Sequence, residues 1–516
     1  MESSDAWSDP PIVAESKRHD PAPFVHLRPK HKLITILLKG LSMPTVSLHT
    51  AFSVETLTTY FQDNIRTSAG RGIDGVNGLT FSENLPEKLE SISSKVFTQK
   101  YRYTPYLEVI KSKGRGKTPR IISKPTVKDK LVLFAIKEEL HKLFPDSIPN
   151  KLPNTYIRNI KEKFKIIDCE KTAYLKIDIK GFYDNLNREK ILLNLKGISG
   201  NDEFVTLVRR ALLNKTVPKG YNKKDSHKYK TATGVPQGLS ISNILAEIYM
   251  KEFDDHFSKK GTGYFRYVDD ILIFSDINEI EKIEGEIYSK LSDIDLNSHD
   301  YDDGSRKSEK GSIKDNFQYL GYEINSSSIT VKNTTVNRYI ESIISMFTNF
   351  KNNAERREKE SKFLNIEQIK EIFILELNEK ITGAISENKK YGWMFYFVEI
   401  NDIYLLHKID GIIKKQFGRL SLFSKKAPEN RSKKNINGLC SLLRTYYAIR
   451  HDLFGGYIHN YSIYETRAEK LSYLVKFGYI AHYDDKSFSD EEIEKIFISA
   501  KKSKLLKLEL DVGNIS

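Results

Sequence analysis

Cysteine is almost absent from this sequence: the 516 residues include only two, Cys169 and Cys440. Two distant thiols cannot form a disulfide framework or a four-cysteine zinc module, and they are typical of proteins from a reducing compartment. The sequence also lacks an unbroken run of about 18 apolar residues, so we expect no membrane-spanning helix and no membrane partner. These absences together predict a cytoplasmic protein.

Acidic residues are outnumbered by basic ones, with 68 Asp and Glu against 82 Lys and Arg and a formal net charge of +14. Such an excess favours a polyanionic partner. The chain is 39% hydrophobic and 11% aromatic, which is typical of a globular protein. Its length predicts three or four packing units at about 100–200 residues each.

Three aspartates form the strongest chemical signal. Asp178 lies near the end of Ala173–Ile179, whose period of two predicts a half-buried strand. Asp269 and Asp270 lie at the tip of a predicted hairpin, Tyr264–Ser275. Adjacent carboxylates between apolar strands repel each other and lose hydration, and a divalent cation removes that conflict. The alternative interpretation is a solvated Asp-Asp turn without chemistry.

Four segments in this order resemble the motifs of reverse transcriptases. Tyr267-Val268-Asp269-Asp270 resembles their YxDD box, and Leu175–Tyr183 resembles their first palm motif. Thr233–Asn243 resembles their PQG loop and the helix after it, and Phe317–Tyr322 resembles their primer-grip hairpin. The spacing of the four segments agrees as well, so the combined pattern is far more specific than any one of them.

The resemblance implies a right-hand polymerase, with α/β fingers and palm followed by a helical thumb and a mostly α-helical C-terminal region. The predicted divisions are a flexible N-terminal arm (1–30), N-terminal helices and fingers (31–170), palm (171–330) with an inserted fingers segment (about 187–232), thumb (331–430) and helical C-terminal region (431–516).

The resemblance also implies a two-metal site. Asp178, Asp269 and Asp270 would be the catalytic carboxylates that hold two Mg²⁺ ions, with the Ile179 carbonyl as a backbone ligand. Mg²⁺ takes few carboxylates and completes its shell with water and substrate phosphates. Two such ions act on the attacking and leaving oxygens of a phosphoryl transfer.

Further residues would bind the incoming dNTP. In the family an aromatic at the position of Tyr183, beside Phe182, lies under the sugar and leaves no room for a 2′-hydroxyl. Gln237 and Gly238 would shape the floor under the new base pair, where glycine permits close backbone approach. The alternative for Tyr183 is a core aromatic.

Lys113 and Arg120 resemble the fingertip pair that binds the triphosphate, where Arg suits bidentate phosphate contacts. Lys111, Arg115 and Lys117 compete with Lys113, and a solvated basic loop is the alternative for each.

One departure concerns the proton donor to pyrophosphate. In the family a Leu-Asn pair is commonly followed within a few residues by a lysine. Here Leu296-Asn297 is followed by Ser298–Asp303, and lysines come only at Lys307 and Lys310.

The finer assignment depends on Gly72–Val76 and Tyr391–Phe397, which resemble the bacterial lineage that includes group II intron enzymes. With too few cysteines for a zinc-type endonuclease, the chain looks most like the defence-associated reverse transcriptases of the abortive-infection and unknown-group types. That resemblance implies antiphage immunity, a noncoding RNA template, a DNA product and often a homo-oligomer. The alternatives are a retron-type or intron-derived enzyme without a defence role, a viral-type RNA-dependent RNA polymerase, and a non-catalytic RNA-binding scaffold.

Some members of the defence group start DNA on a protein hydroxyl. Tyr457, Tyr461 and Tyr464 lie on Phe454–Tyr464, where Gly455-Gly456 could serve as a hinge, and are candidate priming tyrosines. The alternative is that these tyrosines fill a helical core or line an RNA surface.

Overall fold

The computed structural model describes residues 46–66, 70–112, 119–148, 152–229, 233–260, 263–300, 307–361, 363–429, 438–481, 488–510 and 512. The predicted N-terminal arm (1–30) lies outside the described residues. The described residues all belong to one unit, Val46–Ser516.

The helices of the described chain are α1 Leu48–Ala51, α2 Val54–Tyr60, α3 Gly78–Phe81, α4 Leu85–Phe97, α5 Val127–Leu143, α6 Pro153–Phe164, α7 Phe182–Asn185, α8 Arg188–Ser199, α9 Asp202–Leu212, α10 Ser242–Phe257, α11 Ile280–Asp293, α12 Asn333–Glu360, α13 Ile366–Thr382, α14 Trp393–Tyr396, α15 Ile403–Gln416, α16 Leu442–His451, α17 Arg467–Lys476 and α18 Asp490–Leu510. The strands are β1 Tyr106–Lys111, β2 Arg120–Lys124, β3 Thr172–Asp178, β4 Thr216–Val217, β5 Gly263–Tyr267, β6 Asp270–Asp276, β7 Glu309–Ser312, β8 Phe317–Tyr319, β9 Tyr322–Ile324, β10 Ile329–Val331, β11 Ala384–Ser386, β12 Lys389–Tyr391 and β13 His459–Asn460.

A four-stranded antiparallel sheet, in the order β5-β6-β3-β7, forms the palm. The prediction that β3 is half-buried is wrong, because both faces of the sheet are covered. Leu175 and Ile177 pack into one hydrophobic cluster and Tyr174 into a second. Lys176 is only 7% exposed, with its ammonium 3.8 Å from Glu309. The alternating side chains of β3 therefore pack into two different hydrophobic cores, instead of into a core on one face and solvent on the other.

The fingers contain a second sheet, in the order β2-β1-β4. β1 and β2 pair as an antiparallel hairpin, and β4 comes from the segment inserted into the palm. The predicted hairpin at Phe317–Tyr322 is present as β8 and β9, and β10 extends it to three strands.

The chain after Val331 is mostly helical, and α12 and α13 pack against each other. It also contains a small sheet, in the order β12-β11-β13, that the sequence did not predict. Its strands have two or three residues, too few to show a period of two. The predicted class, α/β fingers and palm followed by a helical region, is confirmed. Across the described ranges, no helix has the length and apolar character needed to cross a membrane.

Candidate active site

Asp178 and Asp270 face each other on neighbouring strands. Asp178 ends β3, Asp270 begins β6, and the register of the two strands pairs them directly. Asp269 precedes β6 in the hairpin turn, and its carbonyl accepts a hydrogen bond from the Ile179 backbone N–H (3.1 Å). The fold thus brings the three predicted carboxylates to one end of the palm sheet.

The turn that carries Asp269 is strained and firmly held. Val268 has a φ of 58°, a left-handed conformation that β-branched residues avoid. Arg266 donates to the Val268 carbonyl (2.9 Å), and the same guanidinium pairs with Glu247 (2.5 Å) and Asp254 (2.6 Å) of α10. This buried ionic fork stabilises a turn that the local sequence would not favour.

The electrostatics of the cluster oppose ionisation. Desolvation raises the pKa of Asp269, and the charge of Asp178 raises it further. Desolvation also raises the pKa of Asp270 to about 7; Lys176 opposes that shift, while Asp269 and Asp178 add to it. A carboxyl with a raised pKa is less stable as an anion than it would be in water. A bound cation would remove that penalty.

The donor set fits magnesium better than a metal held by protein alone. Within the described ranges, no three His, Cys, Asp or Glu side chains converge into a protein-only metal site. Mg²⁺ in phosphoryl-transfer sites needs only one or two carboxylates, because water and substrate phosphates supply the remaining ligands. The open set of Asp178, Asp269 and Asp270 meets that requirement.

Two basic side chains that the sequence did not assign contact Asp178. Lys307 Nζ lies 2.9 Å and His299 Nε2 lies 3.3 Å from Asp178 Oδ1. The backbone N–H of His299 also donates to the Asp178 carbonyl (2.9 Å). The family pattern has a lysine within a few residues of the Leu-Asn pair. Lys307 lies too far along the chain from Leu296-Asn297 for that spacing to identify it.

Tyr183 lies beside the carboxylates. Its ring packs edge-on against the buried Phe182, with centroids 5.4 Å apart, and its hydroxyl donates to Asn243 Oδ1 (2.8 Å). Burial, followed by the charges of Glu247 and Asp269, raises the pKa of Tyr183. The half-buried ring is therefore held in a neutral state near Asp269.

Gln237 and Gly238 attach the palm to the fingers. The Gln237 carbonyl accepts a hydrogen bond from the Ser123 backbone N–H (2.7 Å), and its side-chain amide reaches Asp184 (3.4 Å). Gly238 has a φ of 97°, and a Cβ there would lie 2.5 Å from Ile122 Cγ2. Only glycine fits this approach of the loop to β2.

Arg120 begins β2, opposite Lys111. Its charge lowers the pKa values of Asp269 and Tyr183, against the larger effect of burial. Its Nε is buried and has no hydrogen-bond partner within the part of the chain that the structure describes. An unpaired buried donor is costly, which points to a ligand at this position. Lys113 lies outside the described residues.

The Phe317–Tyr322 hairpin contacts the backbone of Asp270. Tyr319 donates its hydroxyl to the Asp270 carbonyl (3.4 Å), and the hairpin turns at Leu320 and Gly321, with φ values of 49° and 79°. Tyr396 donates to the Leu320 carbonyl (3.3 Å). In the sequence, the segment around Tyr396 suggested only a lineage. Its contact with the Leu320 carbonyl was not predicted.

The three candidate priming tyrosines lie in the C-terminal part of the chain. Tyr457 is 6% exposed, and its hydroxyl accepts a backbone N–H bond (2.9 Å). Tyr461 donates to Glu379 (2.6 Å), and the Tyr464 hydroxyl lies 3.1 Å from His459 Nε2. Burial raises the pKa of Tyr464 to about 12. This placement favours the packing alternative, and priming stays a prediction.

Comparison with known proteins agrees with this geometry. Residues 110–324 match the model of the reverse transcriptase (RNA-dependent DNA polymerase) family. The chain therefore contains a reverse transcriptase domain, and the enzyme class predicted from the sequence is confirmed for that domain.

Individual relatives match over a similar stretch. An uncharacterized 91 kDa protein in the cob intron of Schizosaccharomyces pombe is 27% identical over 202 residues, which are 37% of this chain and 24% of the relative. The group II intron-encoded protein LtrA of Lactococcus lactis subsp. cremoris is 25% identical over 201 residues, 37% of this chain and 32% of LtrA. The matched stretch thus spans about a quarter to a third of these two relatives. A solved telomerase from Candida albicans is 15% identical, with 68% of each chain covered and a TM-score of 0.41.

Proposed function

We propose that this chain is an RNA-directed DNA polymerase that extends a primer with dNTPs. The observation that carries the proposal is the direct pairing of Asp178 with Asp270, beside Asp269, inside a reverse transcriptase domain. A non-catalytic scaffold would have no use for a strained turn that brings mutually repelling carboxylates together.

Asp178, Asp269 and Asp270, with the Ile179 carbonyl, would hold two Mg²⁺ ions, which when bound supply charge neutralisation at the transferred phosphoryl group. The raised pKa of Asp270 supports this assignment, because a nearby cation would restore the ionised carboxylate.

The other residues bind and select the nucleotide. Arg120 presents an unpaired buried nitrogen to the triphosphate, and Tyr183 closes the space where a 2′-hydroxyl would lie. Gly238 lets the loop lie flat against Ile122 under the new base pair. The Tyr319–Tyr322 hairpin positions the primer terminus next to Asp270.

Primer extension tests the proposal. The full chain is incubated with a DNA primer on an RNA template and Mg²⁺, with dNTPs or rNTPs. We expect template-dependent addition of dNTPs. A chain that binds the substrate but adds no nucleotide under any metal condition would contradict it.

We further propose that the template is a dedicated noncoding RNA and that the cDNA serves antiphage defence. The support is the sequence resemblance to the defence-associated group, together with a helical C-terminal region where mobile-element enzymes carry other parts. The similarity to LtrA favours the alternative of an intron-type enzyme. Sequencing the RNA and DNA that copurify with the chain separates them: a single noncoding RNA with its complementary DNA supports defence, and a spliced or flanking intron RNA supports the alternative.

A further inference from the structure

A cavity of about 390 Å³ lies between α6, β12, α14 and α16. Four basic side chains line it: Arg158, Lys390, Arg450 and His451. Glu399 is the one carboxylate among the described residues that line it, and Arg158 donates to it through Nε (2.8 Å) and a terminal nitrogen (2.6 Å). Three permanent cations therefore face one carboxylate, and this surplus of positive charge favours an anionic ligand.

Arg450 is held in a fixed position at the edge of the cavity. Its guanidinium donates to the Val398 carbonyl (2.7 Å) and lies over the Tyr446 ring, 4.3 Å from the ring centroid. The Tyr446 hydroxyl donates in turn to the Ile400 carbonyl (3.1 Å), which fixes the ring. The Arg450 side chain is still 29% exposed. Such a preorganised guanidinium can bind a phosphate at little entropic cost.

α16 also carries an exposed strip of basic and aromatic side chains. The helix contains two arginines and one histidine within ten residues, and its sequence has no acidic residue. Helical spacing places the exposed Arg444, Tyr447 and His451 on one face. Tyr447 is 48% exposed, and its ring stacks on His451 with centroids 6.3 Å apart. Phe454, just beyond the helix, is 74% exposed. Two rings are therefore open to solvent beside several cations.

This mixture of rings and cations fits a single-stranded nucleic acid better than an acidic peptide. Bases stack on aromatic rings and on arginine planes, whereas carboxylates have no π face to stack. From Arg444 to His451 the strip is about 10 Å long, which is the length of about three stacked bases at roughly 3.4 Å each. The acidic residue that follows the helix, Asp452, lies against Gly455, where a Cβ would come within 1.9 Å of its carboxylate.

One segment, Phe395–Ile400, connects the strip to the polymerase domain. Its carbonyls accept the hydrogen bonds that hold Arg450 and Tyr446. Its Tyr396 donates to the Leu320 carbonyl, in the turn of the hairpin that contacts the palm. A strand bound on the strip would therefore lie on the same segment that supports this hairpin.

We propose that the cavity and the exposed face of α16, together called the α16 site, bind single-stranded RNA outside the active site. A phosphate would lie in the cavity, and bases would stack on Tyr447 and Phe454. The choice of RNA rests on the proposed function, because a chain that copies RNA must also hold the parts of that RNA that are not paired with DNA. The α16 site gives the C-terminal region a direct part in nucleic-acid binding.

Equilibrium binding to the full chain tests the α16 site. Three labelled probes share one DNA–RNA primer–template duplex: a blunt form, a form with single-stranded RNA extensions at both ends of the template, and a form with the same extensions in DNA. Tyr447→Ala should weaken binding of the RNA-extended probe about tenfold, and Tyr447→Phe, which keeps the ring, should bind like wild type. Lys390→Ala should lower the salt slope for that probe by about 0.7, as expected for one lost phosphate contact. Binding of the blunt probe should be the same in all variants.

Two matched controls and a second ring variant separate binding from folding. Tyr479→Ala and Lys476→Ala change exposed side chains of the C-terminal region that are not on α16, and neither should alter binding of any probe. Phe454→Ala removes a ring that is 74% exposed, so it should weaken binding of the RNA-extended probe while leaving the Tm unchanged.

Unaltered binding of the RNA-extended probe by both ring variants would overturn the proposal, as would a loss confined to the DNA-extended probe. A protein that copurifies with wild type and is lost from Tyr447→Ala, with unaltered RNA binding, would also overturn it and identify a protein interface instead. A wild-type chain that binds the RNA extension through Tyr447 but adds no nucleotide would leave the α16 site supported and contradict only the polymerase proposal.

Discussion

The palm and the thumb region each contain buried carboxylates, but their surroundings shift the pKa values of these groups in opposite directions. Glu379 on α13 is 4% exposed and accepts hydrogen bonds from Tyr461 (2.6 Å) and His459 Nδ1 (2.9 Å). Burial alone would raise the pKa of Glu379, yet these partners hold it below its ordinary value. In the palm the pKa values of Asp269 and Asp270 are raised. Glu379 is stabilised by the protein itself, whereas the palm carboxylates are left for a ligand to stabilise.

The same contrast extends to the aromatic side chains. Around Glu379 the hydroxyls of Tyr461 and Tyr473 pair with each other (3.2 Å), and the His459 ring stacks on Phe477 with centroids 6.1 Å apart. In the palm, the Tyr183 hydroxyl forms a hydrogen bond with Asn243, its ring packs against Phe182, and the side chain remains half-buried. The hydrogen-bonded network around Glu379 joins the C-terminal segment to the thumb region. The more open surroundings of Tyr183 leave part of its ring exposed for binding.

The largest expected effect comes from the palm. The double substitution Asp269→Asn and Asp270→Asn should lower primer extension by at least about a thousandfold, because the metal-binding charge is lost. Its Tm should equal or exceed that of wild type, because the repulsion is relieved. The matched control is Asp255→Asn, a surface carboxylate on α10 that pairs with Lys251. Retained extension by the double variant would contradict the catalytic assignment.

The opposite behaviour is expected at Glu379. Glu379→Ala should lower the free energy of unfolding by about 3 kcal/mol, because it leaves His459 and Tyr461 without their shared buried acceptor. Denaturant unfolding measures this loss. Glu367→Ala, an exposed carboxylate on the same helix paired with Lys370, is the control and should cost well under about 1 kcal/mol. Primer extension below the unfolding range should be nearly unchanged.

The pH dependence of that loss sharpens the comparison. Since the folded-state pKa of Glu379 is lowered, its contribution is fully present above the ordinary pKa and disappears as the pH falls through the folded-state value. The stability difference between wild type and Glu379→Ala should therefore be level from neutral pH to about pH 5 and shrink below about pH 4. A difference that grows on acidification would show that the carboxylate is not stabilised by its partners.

A smaller effect is expected for sugar selection. Tyr183→Ala should raise the relative kcat/KM for rNTP over dNTP by about a hundredfold, because the ring that crowds the 2′ position is removed. Tyr183→Phe keeps the ring and loses only the contact with Asn243, so it should keep most of the discrimination. If the ratio is the same in wild type and Tyr183→Ala, the ring only packs the core.

The smallest effect is expected at Tyr461. Tyr461→Phe removes one buried hydroxyl and should cost about 1 kcal/mol of stability, because Glu379 keeps its bond to His459. The yield of DNA should stay the same. Mass spectrometry of nuclease-digested protein checks priming directly: a nucleotide attached to Tyr461 would show that the buried position opens during initiation.

Local signals in the sequence were enough for the separate parts of the site. Alternating apolar residues located β3, and the hairpin predicted at Tyr264–Ser275 is present as β5 and β6. These features depend on contacts between residues that are close in sequence, so the sequence pattern alone can predict them. The family motifs then selected Tyr183, Gln237 and Gly238. The fold places Gln237 beside Asp184 and Gly238 against Ile122 of β2.

Sequence alone could not show how distant segments meet. The pairing of Asp178 with Asp270 and the contact of Lys307 with Asp178 each join residues far apart in the chain. Burial of β3 on both faces was missed for the same reason, since its second cover comes from later segments such as Phe317. The sequence determined the chemistry of the individual groups. Only the tertiary structure decided which of them share one site, because that depends on long-range packing, which has no local periodicity.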